Sequence, residues 1–480
     1  MRFLDKARGA YARAPGWVRV PLRPFLSLLP TQAKLGGTYR RTRELLERSR
    51  RDPEFAPRYQ EDRLRQIVAS CYARSPFYRA IFTKTFGPSF DPGSFRLQDL
   101  GALPVLTKDD IRKDPQSLLV VPRTDVDMGT TSGSSGQPFA FYLDKDRSAW
   151  EWAFKTDIWS RAGYVAGDRM AVLRGVRLPD PDRRPWEFER ALGELRLSPF
   201  HLVPETMDLY LGLMERYKVA FLNGYPSALE ILARHMQRVG WKPYSGLKGV
   251  LPISEALYPH QRAIISEALG GLPIVPFYGL SEKVAIASES PSQPDDYEFE
   301  PLYGVAELVD EYGRGIRVPG RRGRIVGTGL QLKGMPLLRY DTGDTAEFIH
   351  EVTPGRLGVR AIRARRAQEF LVSATGGLIS MTAINIHSEA YLSVEEFQFV
   401  QDKPGEAVLK AVLAPGRLPA DVTTFAQEIE RKAGAGLRIR PEVVESLPSG
   451  ARGKRPYIDQ HLDLGNFAAR LPQDGEETRT

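Results

Sequence analysis

Cysteine, histidine and long apolar runs are scarce in this chain of 480 residues, and each shortage excludes a class of protein. Cys71 is the single cysteine, so neither an internal disulfide nor a zinc site made of several thiolates can form. The six histidines are scattered without the spacing of metal ligands, and no G-x-S-x-G elbow of a serine hydrolase occurs. These absences favour a reducing compartment, with the cytoplasm as the expected location.

The rest of the composition is that of a globular protein. Hydrophobic residues make up 42% of the chain and charged residues 26%, which excludes a fibrous or disordered protein. At roughly 150 residues per domain, the length corresponds to about three domains, or to one large domain with a smaller companion.

Positive charge is concentrated at the N-terminus. Residues 1–51 carry thirteen basic and three acidic side chains, so the remainder of the chain has a net charge of −2 although the whole carries +8. A nucleic-acid-binding protein would spread such an excess over a working face. We therefore expect no nucleic-acid partner.

The first 30 residues combine this basic charge with aromatic and leucine side chains. Such a mixture suits an anionic membrane surface, and it predicts peripheral contact with the inner face of the membrane. The segment has no run of about 18 apolar residues that could span a membrane, and several prolines interrupt it. The alternative is a solvated basic arm packed on the main domain.

The hydrophobic pattern predicts an α/β fold. Residues 40–120 show helical spacing, and the stretch from about 120 to 345 alternates helices with short apolar runs, which indicates mostly parallel sheets covered by helices. Residues 365–480 have a separate strand, helix and strand pattern and are expected to form a small α+β domain. The predicted division is residues 1–364, including the basic segment 1–51, and residues 365–480.

One helix start is well marked in the sequence. Ser227 followed by Glu230 has the spacing of a capping box ahead of an apolar helical repeat. We expect this pair to begin a helix that serves the structure of the domain.

The segment "TTSGSSGQPFAFYLDKD" carries the first candidate site. Hydroxyl residues alternate with glycines, so backbone amides and hydroxyls can converge on an anion such as a polyphosphate. No Gly-Lys-Ser/Thr follows, so the loop is not a Walker A loop. A flexible Ser/Gly turn is the alternative. The candidate residues are Thr131, Ser132, Gly133, Ser134, Ser135 and Gly136.

A second candidate, "PFYGLSE", follows an apolar run. Tyr278 could stack on a ring, Gly279 permits close approach, Ser281 could meet a phosphate and Glu282 a metal ion. Such groups are expected together where the strands of an open α/β sheet end. The alternative is a strand-ending turn with a packed tyrosine and a solvated glutamate.

A third candidate, "MPLLRYDTGDTAEF", is expected to leave an apolar strand at a turn. It would gather Arg339, Asp341 and Asp344 around Thr342 and Gly343. A carboxylate at such a turn can accept hydrogen bonds from both hydroxyls of a ribose. Taken alone, a pattern of this kind is more often an ordinary turn.

These motifs, followed by a late Gly-Lys, resemble those of the acyl-adenylate-forming superfamily, in particular its phenylacetate-CoA-ligase-like branch. The resemblance spans about residues 60 to 460 and includes "SPFYRAIF", "LPVLTKDDIR" and "NGYPSALEIL". The segments "QEFLV" and "ISMTAINIH" are similar to the capsule-biosynthesis members of that branch.

The resemblance implies a large adenylation domain, a small mobile C-terminal lid, and ATP, Mg²⁺ and a carboxylic acid as ligands. Residues 131–136 would hold the β- and γ-phosphates and Tyr278 would stack on adenine. Ser281 would contact the α-phosphate, Glu282 would hold Mg²⁺, and Asp344 would bind the ribose.

Two further residues have counterparts in the resemblance. Arg365 matches the arginine of a Gly-Arg hinge, although Ala364 replaces the glycine, and the hinge aspartates are absent. Lys454 matches the late catalytic lysine. A carboxylate attacking a polyphosphate brings like charges together, and an ammonium group can neutralise them in the transition state.

The predicted activity is ATP-dependent activation of a carboxylic acid followed by acyl transfer, with CoA as the expected co-substrate. The alternatives are transfer to an amine or hydroxyl of a saccharide or lipid-linked intermediate, and a nucleotide-binding scaffold without catalysis. The acyl pocket is expected between residues 201–227 and 250–280. Neither the acid nor an oligomeric state follows from the sequence.

Overall fold

The computed structural model describes residues 31–131, 139–176, 178–190, 192–353, 356–363, 369–384, 389–447 and 456–467. The helices, apart from short 3-10 turns, are α1 Thr31–Arg51, α2 Phe55–Arg74, α3 Pro76–Phe86, α4 Lys108–Lys113, α5 Arg147–Trp159, α6 Pro204–Arg216, α7 Pro226–Val239, α8 Pro259–Ala268, α9 Met381–Ile384, α10 Pro419–Ala433 and α11 Leu464–Phe467. The strands are β1 Val126–Thr131, β2 Phe139–Asp144, β3 Met170–Leu173, β4 Trp186–Glu189, β5 Glu194–Leu197, β6 Phe221–Gly224, β7 Gly249–Pro252, β8 Phe277–Gly279, β9 Ile286–Glu289, β10 Asp296–Phe299, β11 Gly304–Val309, β12 Arg322–Gly329, β13 Tyr340–Thr353, β14 Arg356–Arg363, β15 Phe370–Val372, β16 Leu378–Ser380, β17 Val394–Lys403, β18 Glu406–Leu413, β19 Arg438–Val443 and β20 Ile458–Gln460.

The chain divides into two compact units. The first comprises residues 1–130, 139–167 and 275–366, and the second comprises residues 131–138, 168–274 and 367–480. The described residues form α-helices together with parallel and antiparallel β-sheets, so the predicted α/β class is confirmed.

The first unit is built on a seven-stranded antiparallel sheet with the order β11-β12-β13-β14-β10-β9-β8. The chain after β8 passes very close to the far strand β11. A Cβ atom on Gly304 would lie 2.1 Å from the carbonyl oxygen of Val284, so only glycine fits there. The sheet therefore curls, and its two edges approach each other.

Helix α1 packs on helix α5 within this unit. The Tyr39 hydroxyl lies 3.1 Å from that of Thr156, and Arg43 and Arg50 both pair with Asp157. Part of the basic charge in residues 1–51 therefore has a partner inside the first unit, as the alternative of a packed arm expects. The membrane prediction concerns residues 1–30, which lie outside the described residues.

The second unit contains the parallel sheet that the sequence predicts. Its order is β4-β5-β3-β6-β7, with β5, β3, β6 and β7 parallel and β4 antiparallel at one edge. Four of the apolar runs between about residues 120 and 345 are "RMAVLRGV", "KVAFLNGY", "LKGVLPIS" and "LPIVPFYG", and the first three form β3, β6 and β7. The fourth, β8, belongs instead to the antiparallel sheet of the first unit.

The predicted capping box of α7 does not form. The helix begins one residue earlier, at Pro226, and no side chain caps it. The Ser227 amide donates to Glu255 at 3.2 Å, while Glu230 pairs with Arg234 at 2.9 Å. The Glu255 carboxylate, from outside the helix, therefore accepts the amide that the predicted capping box assigned to Glu230.

The end of the chain follows its predicted pattern of strand, helix and strand. Strands β18 and β19 are parallel neighbours in a four-stranded sheet of order β19-β18-β17-β20, and α10 lies between them in sequence. In the part of the chain that the structure describes, no helix combines the length and the apolar character needed to cross a membrane.

Candidate active site

The second and third predicted motifs meet in the first unit. The Tyr278 hydroxyl donates a hydrogen bond to Asp344 Oδ2 at 2.9 Å. Burial and the nearby Asp344 carboxylate raise the pKa of Tyr278 well above its ordinary value, so the phenol stays a donor. Tyr278 lies at the edge of the sheet and Asp344 on its third strand, so the curl of the sheet brings them together.

Asp344 lies in a bulge inside strand β13 and not at a turn that ends a strand. The pairing with β12 shifts register because Arg324 faces Thr345 while Val326 faces Asp341. Gly343 adopts φ 83°, a left-handed conformation that favours glycine. A bulge of this kind redirects a side chain, which explains how Asp344 faces Tyr278.

Glu282 is a buried carboxylate beside this pair. It is 3% exposed, and its Oε1 accepts a hydrogen bond from the Tyr340 hydroxyl at 2.7 Å. Lys108 Nζ lies 3.8 Å from the same oxygen. Burying a charge costs free energy unless partners compensate it, and these two groups supply the compensation.

Tyr340 also links the site to the strand that follows the predicted phosphate loop. Its ring stacks on Phe139, with centroids 6.4 Å apart and 14° between the planes. Phe139 is the first residue of β2, directly after residues 132–138. Burial and the Glu282 carboxylate raise the pKa of Tyr340 well above its ordinary value, so its phenol remains a donor.

The remaining residues of the second motif lie on the same short segment. Gly279 ends β8 and is exposed, and Ser281 is half-buried in the turn before Glu282. All four predicted residues of "YGLSE" therefore lie in the region of Asp344.

Arg339 and Asp341 of the third motif bind other parts of the fold. Arg339 is 2% exposed and pairs with Glu307 at 3.1 Å. It also donates to three backbone carbonyls, those of Gly101, Leu103 and Gly313. Asp341 pairs with Arg324 and accepts the Gly343 amide. Both residues stabilise the fold around the bulge.

Several predicted site residues lie outside the described residues. These are Ser132, Gly133, Ser134, Ser135 and Gly136 of the loop, the hinge residue Arg365 and the late lysine Lys454. Thr131 ends strand β1, and its backbone alone is described.

The sequence motifs missed Lys108 and Tyr340 as partners of Glu282. Lys108 belongs to "LPVLTKDDIR", a segment noted for its resemblance and given no role, and Tyr340 lies inside "RYDTGD". Only the tertiary structure brings positions 108, 282 and 340 together.

A second polar cluster lies where strands β6 and β7 of the second unit end. Burial raises the pKa of the Glu255 carboxyl, and hydrogen bonds from Ser227 and Ser380 act against that shift. The Gly175 amide donates to the Tyr225 hydroxyl at 3.1 Å just after strands β3 and β6. These residues lie at the carboxyl edge of the parallel strands, close in sequence to the segments expected for the acyl pocket.

The donor set around Glu282 fits Mg²⁺ in one specific way. No group of three or more His, Cys, Asp or Glu side chains suited to a metal occurs among the described residues. Magnesium is commonly held by one or two carboxylates together with water and substrate phosphates. A single buried carboxylate fits that kind of shared site.

Comparisons with known proteins find relatives over most of the chain. The chain is 22% identical to protein CapK of Staphylococcus aureus over 419 residues, which covers 84% of this chain and 89% of CapK. It is 28% identical to a phenylacetate-coenzyme A ligase of Thermus thermophilus over 445 residues, covering 84% of this chain and 96% of the ligase. No family model matches the chain.

These relatives are of the kind that the motifs predict, the phenylacetate-CoA-ligase-like branch of the acyl-adenylate-forming enzymes. The resemblance predicted from the motifs and the ligase type of enzyme are thereby confirmed. A crystal structure of 2-hydroxyisobutyryl-CoA ligase with 2-HIB-AMP and CoA superimposes with a TM-score of 0.52 at 19% identity. It covers 86% of this chain and 92% of that chain, and it supports the fold.

Substituting Tyr340 by phenylalanine tests the contact with Glu282. The change removes a hydrogen bond to a buried carboxylate, so the free energy of unfolding is expected to fall by about 1.5–3 kcal/mol. Urea unfolding followed by tryptophan fluorescence measures the loss. Tyr312→Phe is the matched control. Tyr312 is 75% exposed, so the free energy of unfolding of this variant should equal that of the parent. Equal unfolding midpoints for Tyr340→Phe and the parent would contradict the contact.

Proposed function

We propose that this protein activates a carboxylic acid with ATP and transfers the acyl group to coenzyme A. The observation that carries the proposal is the meeting of Tyr278, Asp344 and Glu282 in one region of the first unit. The 28% identity to a phenylacetate-coenzyme A ligase over nearly its whole length supports the same reaction.

The first step forms an acyl-adenylate. A carboxylate oxygen of the acid attacks the α-phosphorus of ATP, the bond to the bridging oxygen of the β-phosphate breaks, and pyrophosphate leaves with the electron pair. In the second step the CoA thiolate attacks the acyl carbon and AMP leaves. Both steps exchange one leaving group for one nucleophile and require no oxidant.

The described side chains divide this work between the nucleoside and the phosphates. Asp344, oriented by the Tyr278 hydroxyl, is proposed to accept the ribose hydroxyls, and Tyr278 offers a ring face to adenine. Ser281 would donate to the α-phosphate. Glu282, held by Tyr340 and Lys108, would hold Mg²⁺, which supplies positive charge to the phosphates when bound.

The remaining roles that the resemblance implies are part of the same proposal. Residues 131–136 are proposed to bind the β- and γ-phosphates. Lys454 is proposed to neutralise charge as the carboxylate attacks, and Arg365 to lie at the hinge of a lid formed by residues 365–480. A lysine on a mobile lid would complete the site only on closure.

Pyrophosphate exchange across a library of acids tests the first step. Incubation with labelled pyrophosphate, ATP and each acid should give label in ATP for the true substrate, and added CoA should then give AMP and a thioester. Lys454→Ala is expected to abolish exchange while ATP affinity stays within a few-fold. Unchanged exchange in Lys454→Ala would contradict the role of that lysine.

A second candidate acceptor follows from the similarity of "QEFLV" and "ISMTAINIH" to capsule-biosynthesis members of the branch. In that alternative the acyl group passes to an amine or hydroxyl of a saccharide or lipid-linked intermediate. AMP release that needs a saccharide acceptor and not CoA would support it. ATP binding without exchange for any acid would instead support a non-catalytic scaffold.

We also propose that residues 1–30 attach the protein peripherally to an anionic membrane in the cytoplasm. The basic and aromatic composition of the segment supports this. Sedimentation with anionic vesicles should occur at low salt, weaken as salt rises, and fall when residues 1–30 are removed. The absence of sedimentation at low salt would contradict the proposal.

A further inference from the structure

An ion-pair cluster that is largely shielded from solvent lies beside the segment that carries Glu282. Glu151 of helix α5 accepts from Lys283 Nζ at 2.7 Å and from Lys155 Nζ at 3.0 Å, both on the same oxygen. The side chains of Glu151 and Lys283 are each 15% exposed. None of the three residues has a role in the reaction described above.

Lys283 adopts an unusual backbone conformation to reach this cluster. Its φ is 59°, in the left-handed region, which costs an L-residue with a Cβ atom roughly 1–2 kcal/mol. Glu282, the residue before it, makes its contacts with Tyr340 and Lys108. The side chain of Glu282 is therefore held by Tyr340 and Lys108, and that of Lys283 by Glu151. Because the two residues share a peptide bond, the position of Lys283 limits the orientations open to Glu282.

Helix α5 contacts the same segment at two further points. Lys155 Nζ lies 5.7 Å from the centre of the Phe277 ring, and the Trp159 ring lies 6.3 Å from it at 63°. Phe277 begins strand β8, and Lys283 ends the turn after it. The helix therefore holds both ends of the segment that contains Tyr278, Ser281 and Glu282.

The charge of the cluster favours a permanent anchor. Burial alone would raise the pKa of Glu151, but the two lysines outweigh burial and lower the pKa to about 2. The carboxylate is therefore ionised throughout the range in which the protein would be assayed. The two ammonium groups already neutralise the negative charge of Glu151, so this carboxylate is not suited to bind a further cation.

We infer that Glu151 is a positioning residue for the nucleotide site: through Lys283 it holds Glu282 in the orientation that meets a phosphate-bound divalent cation. The inference rests on the proposed function of Glu282. It assigns Glu151 no contact with substrate, and the effect of Glu151 passes through the backbone of residues 282 and 283.

Calorimetric binding of ATP with and without Mg²⁺ tests the inference on the full chain. Glu151→Gln keeps the shape of the side chain and removes its charge. The Kd for ATP with Mg²⁺ is expected to rise about tenfold, the size expected for losing roughly one charged contact. The Kd for ATP in EDTA should change less than about twofold, because the metal contact is then absent from both proteins.

Two further variants change Lys283, the partner of Glu151 in this ion pair. Lys283→Met should reproduce the loss of Glu151→Gln, and Lys283→Arg, which keeps the charge, should recover most of the parent affinity. Asp296→Asn is the control, since it removes an ion pair with Arg360, at 3.0 Å, between strands β10 and β14. This control should leave both Kd values unchanged.

A double-mutant cycle decides whether Glu151 acts through Glu282. In a Glu282→Gln background, Glu151→Gln should cause no further loss of Mg²⁺-dependent affinity. Additive losses, or equal losses with Mg²⁺ and with EDTA, would overturn the inference. If the parent binds ATP with Mg²⁺ but exchanges pyrophosphate with no acid, the proposed reaction fails while this test of Glu151 still stands.

Discussion

The negative charge of a buried carboxylate must be compensated by nearby donors or cations. Glu282, in the turn after strand β8, shows how this fold meets that requirement. Its side chain is almost inaccessible to solvent, and its oxygen is reached by a phenol from strand β13 and an ammonium group from helix α4. Loss of water around a charge costs several kcal/mol if no partner replaces it. Strand β13 and helix α4, which are far apart in sequence, therefore both contact the Glu282 side chain.

The compensating groups also draw the rest of the site together. Tyr340 stacks on Phe139, which continues from the predicted phosphate loop, and the bulge that follows Tyr340 turns Asp344 towards Tyr278. Arg339, one residue earlier, fastens the start of the same strand to backbone carbonyls. Arg339 and Asp341, which pair with Glu307 and Arg324, therefore flank the site residue Tyr340 along this segment.

The sequence was sufficient for features that depend on local pattern. Apolar runs predicted strands β3, β6 and β7, and the C-terminal strand, helix and strand order appeared as expected. The motif residues Tyr278, Glu282 and Asp344 were correctly expected to lie together, but the stated reason was wrong. A parallel sheet edge was expected, whereas the curl of an antiparallel sheet joins them.

The sequence patterns did not predict the features that depend on tertiary contacts. Ser227 and Glu230 had the spacing of a capping box, but a buried carboxylate, Glu255, competes for the Ser227 amide. Glu151 and Lys283 are 132 residues apart, and no local pattern indicates an ion pair over that distance. The same holds for Lys108, which comes near Glu282 only once the segment before α4 pairs with β13 at Leu106 and Tyr340.

A crystal structure of the protein with an unreactive ATP analogue and Mg²⁺ is the most direct measurement of whether these residues form one nucleotide site. The ribose hydroxyls should lie within hydrogen-bonding distance of Asp344, the adenine against Tyr278, and the cation on Glu282. Nucleotide bound elsewhere, with Tyr278, Glu282 and Asp344 facing solvent or protein alone, would contradict the site and the reaction proposed for it.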